Sequence, residues 1–303
     1  IGIIGLGKMG ANLARRLKAR QWRVVGYNRS PEVTRELAKE GLEPAKSLSE
    51  LVLKISKPRT IWLMVSSGVA VDSILFGSAE TGGLLAQLEA GDTIIDGGNS
   101  YFRETQTRAE KIKTLAPGIN FLDVGTSGGP EGALKGPCLM IGGERQDFER
   151  LERFFSDLAA PDSYKFFEGH GAGHFVKMVH NGIEYGMMQS LAEGFALMKT
   201  MPLGLKLAEV ANIYNKGSVI ESRLTGWLER GFAVYGEELE TVSGSVAATG
   251  EGEWTVKTAR EQGLNVPVIE EAFNFRAASK EKPSYTGKIL SMLRNMFGGH
   301  SIK

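Results

Sequence analysis

Ile1-Gly2-Ile3-Ile4-Gly5-Leu6-Gly7-Lys8-Met9-Gly10-Ala11 opens the chain and decides its fold. The apolar run Ile1–Ile4 reads as a buried strand, and Ala11–Ala19 reads as a helix. A Gly-x-Gly-x-x-Gly between the two gives each glycine a task. Gly5 makes a tight turn, Gly7 leaves room for a pyrophosphate, and Gly10 lets helix and strand pack closely. The helix N-terminus then offers unpaired N–H groups and a positive dipole end to the phosphates. This is the fingerprint of a Rossmann-type dinucleotide-binding domain, with Gly5, Leu6, Gly7, Met9 and Gly10 at the cofactor.

Working outward, short apolar runs at Arg23–Tyr27, Thr60–Val65, Thr93–Asp96, Asn120–Val124 and Cys138–Ile141 alternate with amphipathic segments at Asn12–Ala19, Pro31–Glu40 and Arg103–Leu115. That alternation predicts a mostly parallel sheet covered on both faces. From Ala172 the pattern turns helical through Phe297. The stretch Ala172–Thr200 is the longest helix candidate, and Gly182, Gly186 and Gly194 within it would let another helix or a ligand approach. A Gly-rich hinge at Gly169–Gly173 divides the chain into a dinucleotide-binding domain over 1–171 and an all-α substrate and dimerisation domain over 172–303.

The end of the second strand selects between the two nicotinamide cofactors. An acidic residue there binds the ribose 2′-OH of NAD, whereas Arg accommodates the 2′-phosphate of NADP. Here the residues are Asn28, Arg29 and Ser30, with no carboxylate. Arg29 suits a 2′-phosphate and stacks on adenine, and Asn28 and Ser30 supply hydrogen bonds, so NADP is favoured and NAD stays open. Val65, ending a later strand, joins the cofactor set.

Composition excludes several classes. Lys+Arg 36 against Asp+Glu 35 gives a formal net charge of +1, which offers no footprint for nucleic acid or an anionic membrane. The single cysteine, Cys138, allows no internal disulfide and fits a reducing compartment. No apolar run reaches the roughly 18 residues of a membrane span. A cytoplasmic globular protein is expected. Ile1 is not an initiator Met, so a few residues are expected ahead of it, and no secretory pattern precedes the first strand.

Lys177, His180, Asn181 and Glu184 stand at i, i+3, i+4 and i+7 of the long helix and share one sector about 100° wide. Phe175, Val176, Met178, Val179 and Ile183 cover the other sectors. The stripe is either the wet side of an amphipathic helix or a wall of proton-transfer groups. Two loops at carboxyl ends of strands could face it: Asp96-Gly97-Gly98-Asn99-Ser100 and Thr126-Ser127-Gly128-Gly129-Pro130. Asn99 could hold a substrate oxygen, and Ser127, Gly128 and Gly129 a carboxylate. No closed set of metal ligands is evident, and no metal is expected.

With these pieces in place the chain resembles the 6-phosphogluconate dehydrogenase family, short form, within the β-hydroxyacid dehydrogenase superfamily. The resemblance covers the whole chain and rests on Ile95–Ser100, Val124–Gly129, Gly173–Tyr185 and the tail Arg294–His300. It implies that Lys177 is the general base and Glu184 the general acid. It implies that His180 and Asn181 position substrate, and that Ser127, Gly128 and Gly129 hold the sugar-acid carboxylate. Asn99 would touch both nicotinamide ribose and substrate. Tyr185 and Arg276 would bind a phosphate, while Arg294 and His300 would reach in from a neighbouring subunit of a homodimer or homotetramer. One departure stands out: long forms carry a phosphate-binding Lys where this chain has Thr249, followed by Glu251 and Glu253. Phosphate binding would rest more on Arg276 and Arg294.

The implied reaction is oxidation of 6-phosphogluconate at C3 with loss of C1 as carbon dioxide. For a neutral Lys177 to act as base, its pKa must fall from about 10.4 toward neutrality. Two alternatives stay open. One is a β-hydroxyacid dehydrogenase acting on a small or unphosphorylated 3-hydroxy acid, gluconate-like, without a phosphate requirement. The other is a sensor that binds NADP(H) without turnover.

Overall fold

The computed structural model describes residues 1–77, 83–247 and 250–303. They form two compact units, Ile1–Met178 and Val179–Lys303.

In the first unit β1 (Gly2–Ile4), β2 (Val25–Tyr27), β3 (Glu43–Ala45), β4 (Thr60–Leu63), β5 (Thr93–Asp96), β6 (Asn120–Ser127), β7 (Cys138–Gly143) and β8 (Tyr164–Glu168) build one sheet. The strand order is β3-β2-β1-β4-β5-β6-β7-β8. Pairing is parallel from β3 through β6, β7 runs antiparallel to β6, and β8 runs parallel to β7. Successive residues point to opposite faces of a strand, so Ile94 and Ile95 feed different cores. Ile95 packs with Leu13, Leu17, Trp62, Phe154 and Phe155, and Ile94 with Leu51, Ile61, Leu63 and Leu75. Both faces are covered, as parallel strands require.

The register pairs Ile4 with Tyr27 and Leu63, Leu63 with Asp96, and Asp96 with Asp123. The loops after β1, β2, β4 and β5 therefore leave from one edge of the sheet. The chain order reverses between β1 and β4, and that reversal opens the crevice where open α/β sheets bind nucleotides.

The expected strands are present with shifted ends: the Arg23–Tyr27 run starts at Val25, and the Asn120–Val124 run extends to Ser127. Two strands lie outside the apolar runs. β3 is Glu-Pro-Ala at the sheet edge, where Pro44 removes no needed donor. β8 is Tyr-Lys-Phe-Phe-Glu at the opposite edge and only half buried.

The helix Ala172–Thr200 runs unbroken. Within the second unit it is joined by Leu207–Tyr214, Arg223–Tyr235, Glu251–Glu261, Pro267–Ala278 and Tyr285–Gly298, with no strand among the described residues. The core is Met188, Phe195, Leu228, Phe232, Leu290 and Leu293. Gly182 and Gly186 serve close packing: a Cβ at the first would meet Thr255 at 2.7 Å and at the second Val268 at 3.1 Å. Gly194 faces open space. No helix among the described residues is long and apolar enough to cross a membrane.

Candidate active site

The fingerprint loop is built as its sequence predicts. Gly5 has φ +93°, and a Cβ there would sit 2.3 Å from the Met64 carbonyl oxygen. A Cβ on Gly10 would sit 2.0 Å from the Gly5 carbonyl oxygen. At Gly7, by contrast, a Cβ meets nothing within 4 Å. Two glycines bring strand and helix together and the third leaves space at the N-terminus of the Lys8–Ala19 helix, which fits a pyrophosphate. Val65 lies between the Gly5 and Gly98 backbones.

At the end of β2, Asn28 ties loops together: its Oδ1 accepts from the Leu6 N–H at 2.9 Å and its Nδ2 donates to the Ser30 carbonyl at 3.1 Å. Arg29 and Ser30 are exposed, and among the described residues no carboxylate pairs with Arg29. A cation without a partner at this place suits a 2′-phosphate.

The loop after β5 wraps the buried Asp96 carboxylate. Gly98 N–H donates to Asp96 Oδ1 at 3.1 Å and Ser100 Oγ to Oδ2 at 2.7 Å, and Asn99 is left projecting and exposed. Gly97 is forced, since a Cβ would lie 2.2 Å from the Trp62 indole. After β6 the chain turns at Gly128 (φ +122°) and Gly129 (φ +64°), and Ser127 pairs with Cys138 across the sheet.

The first turn of the long helix lies on this strand pair. Asp123, fully buried on β6, accepts from the N–H groups of Gly171 at 2.7 Å and His174 at 2.9 Å. A carboxylate capping two N-terminal donors fixes where the helix starts. A Cβ on Gly125 would lie 2.3 Å from the Lys177 Cβ, and one on Gly173 would lie 2.3 Å from the Met140 carbonyl oxygen. The missing side chains let Lys177 lie against β6. Burial pushes the Cys138 thiol up while the Lys177 ammonium pulls it down, which sets that ammonium near the Ser127–Cys138 end of the strands.

Along the helix the stripe is the reverse of a wet face. Asn181 is buried and Lys177, His180 and Glu184 are half-buried, whereas the apolar Phe175, Ile183 and Met187 are the exposed ones. His180 Nδ1 shares a hydrogen bond with Asn181 Oδ1 at 2.9 Å and stands 3.9 Å from a Glu184 carboxylate oxygen.

Within the second unit, Tyr185 anchors a polar cluster. The Arg276 guanidinium lies 3.3 Å from the centre of the Tyr185 ring. Arg276 and Arg294 are 3% and 4% exposed, and among the described residues neither forms an ion pair. Burial pushes Arg276 down to about 10, with Arg294 lowering it further and Tyr185, Glu184 and Glu251 opposing the drop. Burial lowers Arg294 as well, against Tyr185, Glu251 and Glu184. The Tyr185 hydroxyl is buried without a hydrogen-bond partner among the described residues. Buried guanidinium groups and an idle hydroxyl leave a demand for an anion.

Arg294 is buried in this cluster, where the Tyr285–Gly298 helix carries it inward. His300 follows that helix, with its carbonyl held by Asn295 Nδ2 at 2.7 Å. Thr249 lies outside the described residues. Glu253 is exposed on the Glu251–Glu261 helix.

Residues 1–172 match the NAD binding domain of 6-phosphogluconate dehydrogenase, and residues 173–295 match the C-terminal domain of 6-phosphogluconate dehydrogenase. The chain belongs to the 6-phosphogluconate dehydrogenase family. It is 38% identical over 303 residues to the NAD(+)-dependent, decarboxylating 6-phosphogluconate dehydrogenase of Haloferax volcanii, covering 100% of this chain and 98% of that one. It is 36% identical over 309 residues to the NADP(+)-dependent, decarboxylating enzyme of Bacillus subtilis, covering 96% of this chain and 64% of the relative. The solved 6-phosphogluconate dehydrogenase of Plasmodium falciparum superposes with a TM-score of 0.81 at 31% identity, over 93% of this chain and 62% of that one. As a 6-phosphogluconate dehydrogenase family member, the chain is an oxidoreductase whose first domain binds NAD or NADP.

Sequence reasoning missed Asp123, Gly125 and the Asn181 partner of Glu251. An acidic residue inside Phe-Leu-Asp-Val signalled the first. The second carries no signal of its own, since only the structure shows what a Cβ would meet.

Proposed function

We propose that the chain catalyses oxidative decarboxylation of 6-phosphogluconate to ribulose 5-phosphate and carbon dioxide, with NADP favoured over NAD. Residues 1–171 form the dinucleotide-binding domain and 172–303 the substrate domain of a homodimer or homotetramer. The observation that carries this reading is the pair of buried guanidinium groups, Arg276 and Arg294, which form no ion pair among the described residues, beside a Tyr185 hydroxyl with no hydrogen-bond partner among them. A phosphate monoester, bearing about −1.5 to −2 charges at pH 7, answers that demand.

Gly5, Leu6, Gly7, Met9, Gly10, Asn28, Arg29, Ser30, Val65 and Asn99 hold the cofactor. When bound, it supplies the acceptor for the hydride that leaves C3. Lys177 is the base that takes the C3 hydroxyl proton. As an ammonium it then donates to the 3-keto oxygen, so the electrons of the breaking C1–C2 bond collect in an enediol as C1 departs as carbon dioxide. Glu184 returns a proton to the carbon that becomes C1 of the product. Ser127, Gly128 and Gly129 hold the departing carboxylate through hydroxyl and backbone N–H groups. Asn99, His180, Asn181 and His300 orient the sugar chain, and Tyr185, Arg276 and Arg294 take the phosphate.

One observation favours the runner-up, an enzyme for an unphosphorylated 3-hydroxy acid: a carboxylate, Glu251, is buried close to the two arginines. Lys177→Met tests the chemistry. In single turnover the variant is expected to bind NADP and 6-phosphogluconate but transfer no hydride, and full hydride transfer would remove Lys177 as base.

A further inference from the structure

Glu251 begins the helix Glu251–Glu261 and is 6% exposed. Its Oε1 accepts from Asn181 Nδ2 at 2.7 Å, and its Oε2 is buried with no hydrogen-bond partner among the described residues. The carboxylate acts electrostatically on both Arg276 and Arg294 yet, among the described residues, pairs with neither. Gly252 follows it, where a Cβ would strike the Tyr185 ring at 2.5 Å, so the helix start is pressed against the same ring that Arg276 covers. The wall that offers two cations to an anion therefore also carries a fixed negative charge.

We propose that Glu251 sets the specificity of this cluster: its charge holds down affinity for a bare phosphate, and its Oε2 accepts from a hydroxyl of the sugar chain. The proposal rests on the phosphate role given above to Arg276 and Arg294. A carboxylate is an acceptor only, so a phosphate dianion cannot satisfy it, whereas an alcohol O–H can. Both phosphorylated and unphosphorylated sugar acids present such hydroxyls. The charge therefore narrows the preference between them, and the hydroxyl contact leaves that preference unchanged. Glu251 thus tunes how strictly the enzyme requires the phosphate.

The test is Glu251→Gln, which keeps an oxygen for Asn181 and removes the charge, with Glu251→Thr as a smaller second variant. Calorimetric titration with inorganic phosphate is expected to show binding between about tenfold and a thousandfold tighter in the variant, the upper figure being the effect of one unit charge about 4 Å away at an effective dielectric of about 20 and the lower that of one about 12 Å away. The ratio of kcat/KM for 6-phosphogluconate to that for gluconate is expected to rise by about the same factor. Unchanged phosphate affinity and an unchanged ratio would overturn the proposal. If neither variant folds, the wild type decides: millimolar or weaker inorganic phosphate supports the proposal, and micromolar binding overturns it. Absence of any 6-phosphogluconate turnover by the wild type would defeat the proposed function instead, and the phosphate titrations would still judge Glu251.

Discussion

Gly125→Ala is a small substitution with a large expected effect, because the added methyl group has nowhere to go. Its Cβ would fall 2.3 Å from the Lys177 Cβ and 2.9 Å from the Gly173 carbonyl oxygen, where ordinary contact begins at 3.4 Å. Neither obstacle is a flexible side-chain end, so helix and strand must part by about 1.1 Å. Overpacking of this kind costs about 1–3 kcal/mol. The chain is large, so each kcal/mol lowers the melting temperature by only about 2–4 °C and the variant stays folded. The consequence for chemistry is greater, since Lys177 moves with the helix, and a misplacement of about 1 Å costs about 10²-fold in rate. The assay is kcat for 6-phosphogluconate oxidation beside the dissociation constant for NADP, with thermal unfolding as control. We expect kcat to fall about a hundredfold while NADP affinity, set at the far end of the fingerprint loop, stays within about twofold. A folded Gly125→Ala enzyme with kcat within threefold of wild type would refute the argument that Lys177 works from its seat on β6.

Arg29→Ala should weaken NADP at least tenfold and NAD hardly at all, given the worth of a charge-assisted phosphate contact; equal losses in fluorescence titrations would place 2′-phosphate recognition elsewhere. Anion binding needs Arg276 protonated, and burial puts its pKa at about 10. Inorganic phosphate affinity should therefore hold level between pH 8 and 9 and fall as the pH rises through about 10. A flat profile to pH 11 would detach Arg276 from the anion site. Asp123→Ala leaves the buried N–H groups of Gly171 and His174 without their acceptor and should cost about 2–3 kcal/mol in urea unfolding. A loss under 0.5 kcal/mol would show that the cap is idle.

Much of this was legible in the sequence where the residue type and its neighbours settle the matter together. The opening fingerprint, the strands at Thr60 and Thr93, and the unbroken helix from Ala172 follow from local pattern. β3 and β8 did not, because an edge strand buries little and needs no apolar run. The stripe from Lys177 to Glu184 was visible as a periodicity, but periodicity does not say which side is wet. The structure supplies the sign through the exposed Ile183 and Met187. Arg294 was singled out by resemblance, and its burial depends on how the Tyr285–Gly298 helix packs. Gly125 is the least legible, since its meaning lies in a contact with a residue fifty-two positions on.

The central claim is tested most directly by initial rates of reduction of NADP and, separately, NAD by the purified protein with 6-phosphogluconate, while carbon dioxide is trapped. The account predicts one carbon dioxide per reduced cofactor, with NADP the faster acceptor. Reduction without carbon dioxide, or silence on 6-phosphogluconate with turnover of gluconate, would contradict it.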